Sequence, residues 1–178
     1  MVESSLPYHI KIDQKEDSFD IKSIGHETFG GQLTHNVSAH PKVNHKTGEL
    51  YTFGYSLEGA WLSYTLFNKD KKAINGCNVD ITSARMIHDF PITDNYCIFP
   101  DLPLEFDPKR AMKEGGFVFK FDAKQPSRYG IMKKLAQQKS AVQWFEMPTH
   151  FIFHYVNAWE EKNAEGEDII VLYGCAQE

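Results

Sequence analysis

The chain has 178 residues, an apolar fraction of 42% and a net charge of −5, enough for one globular unit and without a basic surface for a nucleic-acid backbone. Its longest apolar runs, such as residues 151–153 and 169–173, are far too short to span a bilayer, though they leave peripheral membrane contact open. Three widely spaced cysteines, Cys77, Cys97 and Cys175, form no CxxC pair, which argues against a disulfide framework or structural zinc site and favours a reducing compartment.

Residues 1–25 hold neither a basic stretch followed by an apolar one, as in a secretory leader, nor an Arg/Ser-rich transit pattern. Within them, residues 9–11 and 19–24 begin a series of short runs rich in β-branched and aromatic residues with a period of two, and strands are predicted there. More strands are predicted at 34–39, 50–56, 61–67 and 96–99. Turn signals stand around them at Lys46-Thr47-Gly48, Asn68-Lys69-Asp70, Asn75-Gly76 and Thr93-Asp94-Asn95. Past Glu114-Gly115-Gly116 come a strand at 117–121, one helical stretch at 129–139 without a firm cap, and strands at 142–147, 149–156 and 168–174.

Short strands joined by tight polar turns read as all-β, antiparallel β-meanders, with no βαβ alternation and no internal linker, so residues 1–178 form one domain. A sandwich or barrel could use about a dozen strands. A propeller needs at least four blades of four strands, so this chain would supply about three. A propeller left open in this way would expose strand edges and part of its inner face.

Eight histidines stand at 9, 26, 35, 40, 45, 88, 150 and 154. The His150/His154 spacing would put both rings on one face of a helix, as in zinc proteases. The flanking Phe151, Ile152, Phe153 and Tyr155 are strand-like, however, and no glutamate follows His150, so that reading is rejected. Three histidines differ in their surroundings. His40 sits where Pro41 stops a strand, His88 lies in Met86-Ile87-His88-Asp89-Phe90 ahead of Pro91, and His154 interrupts the apolar run 151–156. An imidazole in so apolar a run needs a partner, either a hydrogen bond or a metal. Residues so far apart in sequence would meet only on the axis of a radially repeated fold.

These three blocks resemble the carotenoid cleavage oxygenases. Ala39-His40-Pro41-Lys42 through Gly48-Glu49-Leu50 and Phe53-Gly54-Tyr55-Ser56 are similar to that family's first histidine block. Residues Ile87-His88-Asp89-Phe90-Pro91-Ile92-Thr93-Asp94-Asn95-Tyr96 resemble the second. Trp144-Phe145-Glu146 with Phe153-His154-Tyr155-Val156-Asn157-Ala158-Trp159-Glu160-Glu161 resembles the third. The likeness runs from about Leu6 to the end of the chain, with the blocks in the family's order.

The resemblance implies a seven-bladed β-propeller of which about three blades are present. It implies iron(II) on the axis, held by four histidines, three of them His40, His88 and His154. It also implies that Glu3, ahead of Leu6-Pro7-Tyr8, orients His88; ligand histidines usually give their second N–H to such a partner. Asp89 and Glu160 are read as structural. The fourth histidine and two further glutamates belong to blades beyond Glu178, so activity is assigned to the full-length parent.

The implied reaction is oxidative scission by O2 of a conjugated C=C bond in a carotenoid or apocarotenoid, giving two carbonyl products. The segments 101–108 and 115–122 resemble plant-type enzymes that cut at the 9,10(9′,10′) bonds. That likeness implies a cytoplasmic location, with the plastid as the alternative should a transit peptide lie upstream. Cleavers of epoxycarotenoids or stilbenes are the rival members. A truncated, inactive remnant and a metal-free propeller used for binding are the rivals outside catalysis.

Overall fold

The computed structural model describes residues 5–56, 61–136 and 141–177. In chain order its strands are β1 (Tyr8–Gln14), β2 (Phe19–His26), β3 (Lys42–Asn44), β4 (Glu49–Tyr55), β5 (Trp61–Phe67), β6 (Ala73–Asp80), β7 (Tyr96–Asp101) and β8 (Leu104–Phe106). After the single described helix, α1 (Pro108–Glu114), come β9 (Phe119–Phe121), β10 (Ser127–Lys133), β11 (Gln143–Met147), β12 (Phe151–Lys162) and β13 (Asp168–Gln177). They form a four-stranded meander β3-β4-β5-β6, a three-stranded sheet β11-β10-β7, and the pairs β1-β2, β8-β9 and β12-β13. Each described strand pairing is antiparallel, as the short runs and polar turns lead one to expect.

The four-stranded sheet holds most of the larger cluster of buried residues. Tyr51, Phe53, Leu62, Tyr64, Leu66 and Val79 are each at most 1% exposed, and they pack against Phe90, Cys97, Phe99 and Met132. β4 and β5 are therefore covered on both faces, which suits their run of aromatic and branched residues. The segment holding His88 is anchored into this core on either side, by Ile87 and by the wholly buried Phe90. Burying one such phenylalanine contributes about 2–3 kcal/mol. A second cluster, built from Ile98, Leu102, Tyr129, Phe151, Ile152 and Tyr155, docks β12 on β7 and β10. The two clusters thus position β12 against the His88 segment.

Three local expectations are corrected. Of the stretch 129–139 expected to be helical, residues 129–133 belong to β10 and 137–139 lie outside the described residues; Tyr129–Lys133 pair with β7 along one edge while Tyr129–Ile131 pair with β11 along the other. The helix lies instead at α1, where the side chain of Asp107 accepts the Arg110 N–H at 2.9 Å and proline occupies the first turn. None of its residues is buried, so there was no apolar stripe to read.

Residues 34–39 form a loop whose Ser38 N–H bonds to the Phe53 carbonyl at 2.8 Å. Asn75-Gly76 is not a turn but the middle of β6, and the Asn75 amide donates to the Lys134 and Ala136 carbonyls at 2.8 and 3.0 Å. Among the described residues no helix is long and apolar enough to cross a membrane.

Candidate metal centre

Each of three histidines reaches one point from a different part of the fold. His40 stands at the end of the loop that leads into β3. The buried hydroxyl of Ser38 ties this loop to the next segment, because its Oγ donates to the His88 carbonyl and accepts the His40 N–H at 3.2 Å. His88 lies in the extended stretch between β6 and β7, fixed by Ile87 and Phe90 on either side.

His154 comes from β12, where the pairing with β13 slips twice. Ile152 faces Ala176, Tyr155 faces Gly174 and Asn157 faces Tyr173, so β12 carries an extra residue at each step. Such bulges bend a strand and re-aim its side chains. Ile152 and Tyr155 stay buried while His154 turns to the open side. Gly174 permits the close approach, since a Cβ there would sit 2.7 Å from the Ile152 side chain.

The three rings converge. The His40 and His88 Nε2 atoms are 2.9 Å apart, and one nitrogen from each of the three histidines lies within 4.8 Å of the others. Ring centroids are 4.5 Å apart for His40–His88 and 4.9 Å apart for the other two pairs, with interplanar angles of 70°, 82° and 82°. Nearly perpendicular rings with nitrogens turned inward can hold a single metal ion on one side and leave its other positions open. An all-imidazole donor set suits iron, copper, nickel or zinc better than magnesium or calcium. Burial holds the pKa of His40 below its ordinary value; Asp89 pulls the other way, and His88, His154 and Lys42 add to the depression. That favours the neutral imidazole, the form that binds a metal.

The remaining histidines go elsewhere. His9 and His26 are exposed on the β1-β2 pair, and His45 is exposed in the turn after β3. The His35 ring bonds to the Asn36 carbonyl and the Thr65 hydroxyl, and burial lowers its pKa. The His150 ring bonds to the Pro148 carbonyl at 2.6 Å and to the Tyr129 hydroxyl at 2.7 Å. Glu3 lies outside the described residues.

Two side chains not singled out as site residues from sequence border the centre. Ser38 carries no pattern that would reveal its bridge. Asp89 is only 2% exposed, and an acid set between Ile87 and Phe90 was the available signal.

The whole chain, residues 1–178, matches the model of the RPE65 family, "Retinal pigment epithelial membrane protein". It is 42% identical over 176 residues to carotenoid 9,10(9′,10′)-cleavage dioxygenase 1 of Pisum sativum, covering 99% of this chain and 31% of that protein. The Arabidopsis thaliana protein of the same name is 40% identical with the same coverage. An Arabidopsis 9-cis-epoxycarotenoid dioxygenase described as chloroplastic is 36% identical, covering 98% of this chain and 30% of that protein.

Among solved structures, the lignostilbene dioxygenase of Pseudomonas brassicacearum superposes with a TM-score of 0.77 at 30% identity, over 90% of this chain and 33% of that one. A cobalt-substituted Synechocystis ACO superposes with a TM-score of 0.70 at 22% identity, over 89% of this chain and 34% of that one, and so shows the shared fold. The chain spans about a third of the length of the curated relatives it matches.

Proposed function

Because the chain belongs to the RPE65 family of carotenoid cleavage oxygenases, we propose that His40, His88 and His154 are three of the ligands of an iron(II) ion in a larger propeller that cleaves a conjugated C=C bond with O2. The observation that carries this reading is the convergence of three nearly perpendicular imidazoles from three segments far apart in sequence. Iron(II), when bound, supplies the redox chemistry by which O2 adds across the double bond, so that each half leaves as a carbonyl product. The chain's own residues bind and position. Burial lowers the His40 pKa, which favours its neutral form, and the core anchors at Ile87 and Phe90 keep the His88 backbone in place.

Two apolar side chains stand next to His154 in β12. The Phe153 ring lies 5.9 Å from that of His88, and Val156 is 72% exposed two residues beyond His154. Such side chains suit a polyene, which offers no hydrogen bonds. Glu3 would accept the second N–H of His88, fixing its ring. Asp89 and Glu160 take no proton from the substrate in this scheme.

The dioxygenase relatives favour a carotenoid cut at the 9,10(9′,10′) bonds. The 0.77 superposition on a lignostilbene dioxygenase supports a stilbene as the second reading. For the compartment, a similar relative described as chloroplastic favours the plastid over the cytoplasm.

The test is turnover by the full-length protein loaded with iron(II) under 18O2, with a carotenoid and a hydroxystilbene as alternative substrates. Both carbonyl products of one substrate should carry label. An iron-loaded protein that cleaves neither would overturn the proposal.

A further inference from the structure

Asp89 occupies a place that the scheme above leaves without a role. Its carboxylate is 2% exposed, and each oxygen is engaged. Oδ1 meets the Lys42 ammonium at 2.6 Å and accepts the Phe90 N–H at 2.8 Å. Oδ2 accepts the N–H of Tyr155 at 2.9 Å. Lys42 follows His40 by two residues, Asp89 follows His88 directly, and Tyr155 follows His154 directly. One carboxylate therefore touches all three histidine-bearing segments: β3 and β12, which lie in different sheets, and the stretch between β6 and β7.

The Tyr155 contact also falls at the register slips of β12, between the two extra residues that turn His154 outward. Ser38 makes a parallel link between the first two segments through the His40 N–H and the His88 carbonyl. Asp89 adds β12 to that link.

A buried carboxylate is costly to desolvate and persists only where its oxygens are filled by strong donors. Three donors from three segments can all be met only when the segments stand at one spacing. We propose that Asp89 is a positioning residue, a buried clamp that sets the distance between His40, His88 and His154 and so tunes their grip on one metal ion. The proposal rests on the reading of the three histidines as ligands.

Asparagine is close in shape but has a single acceptor oxygen, and its NH2 would face a donor on one side. In D89N either the Lys42 side or the Tyr155 side is released, and one histidine moves away from the other two.

The experiment uses the full-length protein, stripped of metal and titrated with cobalt(II), reading affinity and the visible absorption of the bound ion. D89N is compared with Val79→Ala, a core change in β6, under conditions where both variants are folded as judged by circular dichroism. The expected result is a 10–100-fold weaker cobalt affinity and an altered absorption band in D89N, the size usual for partners of metal ligands, with V79A like the parent.

Equal affinity and an unchanged band in D89N would overturn the clamp, and so would equal losses in both variants. Should D89N not fold, Lys42→Gln releases only the His40 segment. It is expected to weaken cobalt binding several-fold, and parental affinity in that variant would overturn the clamp equally. A parent protein that binds no cobalt would instead sink the ligand reading itself, so the two failures can be told apart.

Discussion

The sheet β3-β4-β5-β6 and the hairpin β1-β2 use the same alternation of residue types and end in opposite environments. In the sheet, Tyr51, Phe53, Leu62 and Leu66 are at most 1% exposed, because β7, β10 and the His88 segment cover them. In the hairpin, Ile12 faces Ile21 and Gln14 faces Phe19, yet Ile12, Ile21 and Phe19 are 62%, 67% and 67% exposed. The opposite face of the hairpin is charged, with Lys11 and Lys22 paired to Asp13 and Lys22 also to Asp20. The hairpin is thus amphipathic, with an apolar face that no described residue covers. Alternation marks a face for burial, but only a neighbouring layer buries it. We infer that the layer over β1-β2 belongs to the rest of the full-length propeller.

The largest expected effect lies in the covered sheet. Phe53→Ala should destabilise the full-length protein by about 3–5 kcal/mol, read from its urea midpoint, because the ring packs 4.6 Å from that of Phe90 and the cavity cannot be filled. Gly54→Ala should also be severe, since a Cβ there would lie 1.9 Å from the Asn36 carbonyl oxygen. If either variant matched the parent in stability, the sheet would not be the closely packed region described.

A smaller effect separates the two regions most sharply. In the 178-residue chain alone, Ile21→Lys should change stability by less than about 0.5 kcal/mol, the usual range for a solvent-facing position, and should raise the soluble fraction. In the full-length protein the same change should be clearly destabilising. Equal effects in both would mean that nothing covers the hairpin. Without that partner the chain alone should aggregate through its exposed edges and show no turnover, measured as soluble yield and product formation.

The smallest effect concerns the seat of β12 on the turn before β7. Burial pushes the Glu160 pKa up, but the Thr93 hydroxyl and the Asn95 side chain and N–H together pull it below the ordinary value. A carboxyl with a lowered folded-state pKa adds stability above its unfolded value and loses it as the pH falls through the folded one. Glu160→Gln should therefore remove a modest part of the parent's loss of stability below about pH 4.3, the ordinary glutamate value. Parallel pH profiles for the two proteins would remove Glu160 from this role.

How much of this could be read beforehand varied with the range of the forces involved. β4 and β5 were legible because their aromatic and branched residues carry the signal locally. β6 was not, since Asn75-Gly76 has the form of a turn and its pairing comes from β5 and from the distant Lys134 and Ala136 carbonyls. β10 looked helical because its strand character depends on β7 and β11 on either side. His40, His88 and His154 stood out through the long blocks around them, and their spacing alone would not have paired them. The bulges that aim His154 need Gly174, and the clamp at Asp89 needs Lys42 and Tyr155, all contacts that only the folded chain creates.

The central claim is that these three histidines hold one iron. Crystals of the full-length protein, grown with iron(II) and measured at the iron absorption edge, test it directly. One strong anomalous peak is expected, bonded to the Nε2 atoms of His40 and His88 and to a ring nitrogen of His154. A peak elsewhere, or iron retained with no histidine of this chain in contact, would contradict it.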